Sequence, residues 1–221
     1  MQATKMHGLR IVEPLNDCDP HRLLLAEFVH RSANDLAVAC AEVDLARRAA
    51  TFDDARDRLA LVFERLLALA SIQRLLQAPR DAQMDFGRTL CELCDYQAKA
   101  RFAEQGVFVN VRACDIPVDA RRGRILLMII SELLTNAARH AFDSSGGTVN
   151  IALASRDGEI CCLVNDDGNG IATGRAIPGV GSAIITALAH EAGIQCTVRS
   201  CRIGTSVELR MPIEIVIPPD V

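Results

Sequence analysis

The chain has 221 residues, of which 50% are hydrophobic and 24% charged, a globular balance that excludes a disordered or fibrous class. Its net charge is -4, and Lys and Arg are scattered, so there is no basic footprint for a nucleic-acid backbone. The longest apolar run, Ile125 to Ile130, is too short to cross a bilayer, and there is no charged-then-apolar leader, so neither nucleic acid nor membrane is an expected partner and the expected location is cytoplasmic.

Pro20, with Asp19 before it as a cap, opens the first predicted helix. Leu25, Val29, Ser32, Leu36, Ala39 and Val43 follow alternating steps of four and three, the spacing of a bundle seam. Thr51 caps a second helix whose apolar stripe is Leu59, Val62, Phe63, Leu66, Leu69 and Leu76, ending before Pro79. Two antiparallel helices cannot enclose a core, so a symmetric dimer forming four helices is expected.

A third helix is predicted over 85–105, stopped by Gly106. Beyond it the pattern turns mixed: a strand over 107–113, a long helix over 119–142, strands over 148–154 and 159–165 joined at Arg156-Asp157-Gly158, a helix over 179–192, and strands over 195–201 and 205–211. This order predicts one sheet with helices on one face. The expected class is α+β: an irregular N-terminus over 1–19, a helical hairpin over 20–80, an α/β sandwich over 81–215 and a tail over 216–221.

Nine cysteines, an odd number in a chain of this size, read as reduced thiols rather than a disulfide scaffold. Cys91 and Cys94 form a C-x-x-C inside a helical pattern, while Cys161 and Cys162 point to opposite faces of a strand, so no zinc site is expected from them.

On the helix from Asp119, Glu132, Asn136 and His140 recur every four residues and share a stripe, with Arg139 beside it. An amide and a carboxylate on one line suit a metal-nucleotide site, although the same residues also suit a solvated helix face. Asp166-Asp167-Gly168-Asn169-Gly170 follows a strand, where a carboxylate can accept from an adenine amino group and glycines let backbone approach a ligand. Gly179 and Gly181 open a helix whose free N–H groups can receive phosphate oxygens.

The order of these pieces resembles the ATPase domain shared by gyrase, the Hsp90 chaperones and histidine kinases, over roughly 107–212. The resemblance implies ATP as ligand, with Asn136 ligating Mg²⁺, Asp166 contacting adenine, and Arg139, the Gly179 loop and Thr205 near the phosphates. Upstream, Glu27-Phe-Val-His30-Arg31-Ser-Ala-Asn34-Asp35-Leu36 resembles the phosphoacceptor box of the H-R-x-x-N histidine kinases, close to the HWE group, and Arg139-His140-Ala141-Phe142 is similar to the end of their N box. It implies that His30 accepts phosphate from Mg-ATP and passes it to a response-regulator receiver domain.

His30 lies one step off the Val29 seam, so exposure at the bundle edge is expected, with Glu27 or Asn34 fixing its tautomer and Arg31 near incoming charge. Two positions depart from the pattern: Ala33 stands where relatives usually carry Lys, and Asp35 where they carry a second Asn. Only the stretch between Gly170 and Gly179 is available as a lid, and about twenty residues precede the first helix. A separate sensor protein is therefore an expected source of signal. The alternatives are a histidine phosphotransfer module with a kinase-like fold, and a serine kinase of the anti-sigma type.

Overall fold

The computed structural model describes residues 20–77, 82–143, 145–170 and 180–213, without the side chains of 20–28, 31 and 180–183. Asp19, Pro79 and Gly179 lie outside the described residues. The hairpin consists of α1, Pro20–Arg47, and α2, Phe52–Leu75. Thr51 is extended (φ -131°, ψ 157°) and its hydroxyl accepts from the Asp54 N–H, with Asp53 and Asp54 in the first turn favourable to the helix dipole.

The heptad pattern of α1 divides between two faces. Ala39 and Ala46, seven residues apart, are buried, as is Val62 of α2. The larger residues of the predicted seam stay exposed: Val29 at 57%, Leu36 at 59% and Val43 at 37%. On α2 likewise Val62 is buried while Leu59, Phe63 and Leu66 remain exposed. Alanines let the paired helices approach closely, which turns the bulkier residues of both outward.

Ala68 and Ile72, toward the end of α2, belong instead to the main core. They meet α3, Phe86–Gln97, whose first turn is preceded by a short strand β1, Gln83–Asp85. The predicted helix over 85–105 is not one α-helix. It passes into a π-helical turn at Ala98–Phe102 and a 3₁₀ turn at Ala103–Gln105 before Gly106 ends it at φ 66°. The core positions of α3 (Phe86, Leu90, Leu93, Cys94, Gln97) keep helical spacing up to Gln97. The next large buried residue is Phe102, five residues on, and the extra residue in the π turn is what brings it there.

The sheet comprises β2, Val107–Arg112, β4, Gly147–Arg156, β5, Glu159–Asp166, β6, Gln195–Cys201, and β7, Gly204–Pro212, in the order β2-β4-β5-β7-β6. Only the β2–β4 pair is parallel. A further strand, β3, Pro117–Asp119, pairs with β1 in a small separate ladder that the sequence pattern did not indicate. Helices α4, Ala120–His140, and α5, Val180–Ala192, complete the layer.

Alternation decides which face is covered. Val149, Ile151 and Leu153 of β4, Ile160, Cys162 and Val164 of β5, and Val207, Leu209 and Met211 of β7 point into the core with Ile129, Ile130 and Leu134 of α4 and Ile184 and Leu188 of α5. The intervening residues, Asn150, Cys161, Asn165, Glu208 and Arg210 among them, are not buried. The class is α+β, helices followed by a mixed sheet, as the order of patterns predicts. No helix among the described residues is long and apolar enough to cross a membrane.

Candidate nucleotide and phosphoacceptor site

Helix α4 is held at both ends. Asp119 caps its start by accepting from the Arg122 N–H at 2.9 Å, and at its end Phe142 meets Phe102 edge-on, with ring centroids 6.4 Å apart. Along it Glu132 is buried at 5%, Asn136 is half-buried, and Arg139 and His140 are exposed in the last turn. The stripe therefore runs from the core to the rim. A buried carboxylate one turn before a half-buried amide oxygen is a donor set that a hard cation accepts.

Asp166, the last residue of β5, is the best-defined group. Its Oδ1 accepts the backbone N–H of Gly168 and of Thr205, each at 3.1 Å. Among the described residues the carboxylate is fixed through this one oxygen. Burial pushes its pKa up, and the two N–H bonds oppose that without overcoming it. Asp167, beside it, turns the other way and accepts the Thr148 N–H at 2.7 Å.

The glycines of this turn are required by contact. A Cβ at Gly168 would overlap the Ala141 carbonyl, and one at Gly170 (φ 64°) would overlap the Cys201 carbonyl. Asn169 donates its N–H to the Ala141 oxygen at 2.8 Å. The end of α4, the turn after β5 and the start of β7 are thereby sewn together around Asp166. Thr205 lies here by its backbone, and its Oγ1 is 3.0 Å from Ser200 Oγ. Gly181 belongs to the first turn of α5.

His30 is exposed on α1, and the Asn34 amide nitrogen, one turn on, lies 3.3 Å from its Nε2. With the ring proton on Nδ1, Nε2 accepts from the Asn34 amide. Glu27 and Arg31 share the helix, but their side chains lie outside the described residues. Helix α1 also touches α5, so the histidine-bearing helix packs on the sandwich as well as on α2.

Sequence reasoning missed one set of polar residues. Gln97, fully buried, donates to Ser131 Oγ at 2.8 Å, directly before Glu132, and Arg101 donates to Gln97 and to Asp35. Nothing in the local sequence pairs residues so far apart, although a fully polar Gln at a core helix position is a signal that a partner exists.

Residues 122–215 match the family model described as histidine kinase-, DNA gyrase B- and HSP90-like ATPase. They form an ATPase domain of that family. Over 86% of its length the chain is 27% identical to the sensor histidine kinase PdtaS of Mycobacterium tuberculosis, covering 39% of that protein. It is 38% identical over 112 residues to blue-light-activated histidine kinase 2 of Erythrobacter litoralis, which is 48% of this chain and 32% of that one. The chain thus spans well under half of the curated relatives it matches. Among solved structures, the histidine kinase domain from the Erythrobacter litoralis EL346 blue-light-activated kinase superposes with a TM-score of 0.58 at 21% identity, covering 80% of this chain and 96% of that one. Residues 122–215 thus carry that ATPase domain, and the relatives matched here are named histidine kinases.

Proposed function

We propose that the chain is the core of a cytoplasmic histidine kinase that transfers the γ-phosphoryl group of Mg-ATP to His30 and then to an aspartate of a response-regulator receiver domain. The observation that carries this is the exposed His30, with the Asn34 amide beside its Nε2, on a helix packed directly against the ATPase domain.

In this reading Nε2 attacks γ-phosphorus as the bond to the bridging oxygen of ADP breaks, and the ring proton leaves to a nearby base. Glu132 is assigned that acid–base work. Asp166 accepts from the adenine amino group through the oxygen not used by Gly168 and Thr205. Arg139, His140, Gly179, Gly181 and Thr205 surround the phosphates, and Asn136 supplies the oxygen ligand for Mg²⁺. When bound, Mg²⁺ neutralises charge on the phosphate oxygens. The half-buried amide beside a buried carboxylate fits such an ion.

The exposed apolar residues of α1 and α2 support a homodimer through the hairpin. Incubation with γ-labelled ATP and Mg²⁺ should label the wild type and leave His30→Ala unlabelled. Label persisting in that variant would refute the assignment. Absence of Mg-ATP binding by calorimetry, with phosphate taken up from a phosphorylated receiver, would replace the kinase by a phosphotransfer module.

A further inference from the structure

The face of the sheet turned away from α4 and α5 carries a polar row of one kind. Asn110 of β2, Asn150 of β4 and Asn165 of β5 stand directly opposite one another in the strand registers. Alternation turns the row outward, since the flanking Val109, Val111, Val149, Ile151 and Val164 belong to the core or pack on it. A polar outer face is ordinary, but strands disfavour asparagine, and threonine would keep the face wet without that cost. Here three asparagines lie side by side, two of them on strands inside the sheet.

Their amides are oriented. Asn110 Nδ2 donates to Asn150 Oδ1 at 3.2 Å, which occupies the Asn150 acceptor and leaves its Nδ2 without an acceptor among the described residues. Asn165 Oδ1 is buried and unpartnered among those residues, so the end of this amide that reaches solvent is again Nδ2. An oxygen buried in this way costs stability, and a residue kept at such a cost points to a use.

These residues line a groove of about 740 Å³ together with Arg112 and Ala152, and no carboxylate lines it. Arg112 is exposed and forms no ion pair among the described residues. In its own cross-strand row, the first acid is Glu208, three strands on, and Glu208 is held by Arg210 at 2.7 Å. The floor therefore offers two amide donors and one positive charge to whatever enters.

We propose that this groove binds a small organic anion rich in acceptors, a carboxylate or a phosphate ester. Arg112 supplies the charge, and the Asn150 and Asn165 amides supply directed hydrogen bonds. The volume is that of a small-ligand cleft. Asn165 adjoins Asp166 in sequence but alternates to the opposite face, so the groove is separate from the turn around Asp166 and owes nothing to the kinase reading.

The test follows backbone amide shifts by NMR in the full chain, titrated with citrate and, separately, with inorganic phosphate. Saturable shifts are expected at 109–112, 150–152 and 165. Stronger binding of citrate identifies a carboxylate ligand, and stronger binding of phosphate a phosphate ester. Arg112→Gln should weaken the preferred probe about tenfold, the scale of one charge-assisted hydrogen bond. The double variant Asn150→Thr with Asn165→Thr should weaken it as much and melt at or above the wild type, which separates lost binding from lost fold. If that variant melts lower, Arg112→Gln, on an exposed edge-strand position, decides alone. Absence of shifts in this groove with both probes, or an undiminished affinity in Arg112→Gln, overturns the site.

Discussion

At the scale of single residues, Asp166 carries opposing demands. Burial raises its pKa, and the Gly168 and Thr205 N–H groups lower it by less. The folded protein therefore holds this proton more tightly than the unfolded chain. The contribution of this group to stability is greatest at low pH and falls as pH rises through the raised value. Adenine recognition has the opposite sign, since the oxygen not held by Gly168 and Thr205 accepts from an amino group only when it carries no proton. ATP affinity measured by calorimetry should fall on acidification, starting at milder pH than an ordinary aspartate near about 4 would give. Asp166→Asn should abolish most of that affinity while leaving the melting temperature unchanged or slightly higher at neutral pH. A variant that melts lower and still binds ATP would contradict the assignment.

At the scale of elements, boundaries set by local chemistry were legible. Thr51 before Asp53 and Asp54 marks the start of α2, and the structure has the hydroxyl on the Asp54 N–H. Removing that bond with Thr51→Ala should cost about 1 kcal/mol in urea unfolding with an unchanged slope. The turn at Arg156-Asp157-Gly158 was equally plain, and both Asp157 and Gly158 take positive φ there. The helix over 85–105 was misjudged because apolar spacing reports a face, and a π turn preserves the face while inserting a residue. The β1–β3 ladder was missed because its strands are three residues each, too short for alternation to register.

At the scale of the whole molecule, the hairpin presents more apolar surface than a lone pair of helices tolerates. Val29, Leu36, Leu59 and Phe63 are exposed at 57, 59, 47 and 67%. A surface of this kind marks an interface. Light scattering should give twice the chain mass for the wild type. Phe63→Glu, which buries a charge in the four-helix arrangement, should shift it toward the chain mass at micromolar concentration. A monomeric wild type would sink the dimer proposal and leave the apolar face without an occupant.

The sequence by itself determined the class of the longer elements and the two motifs, because helix period, strand alternation, caps and glycine turns are local properties of neighbouring residues. It placed Asp166 at a strand end and His30 at a helix edge on that basis. Only the tertiary structure decided what those residues face. It brought Thr205 and Gly168 onto one oxygen of Asp166, turned the large residues of the seam outward by packing alanines inward, and joined Asp35 to Arg101. Each of these depends on contacts between residues distant in the chain, fixed by how the covered face of the sheet and the helices close together. Asp35 shows the difference: in sequence it reads as a lapse from the histidine box, and in the fold it is the partner of the arginine that a single π turn moved to the rim.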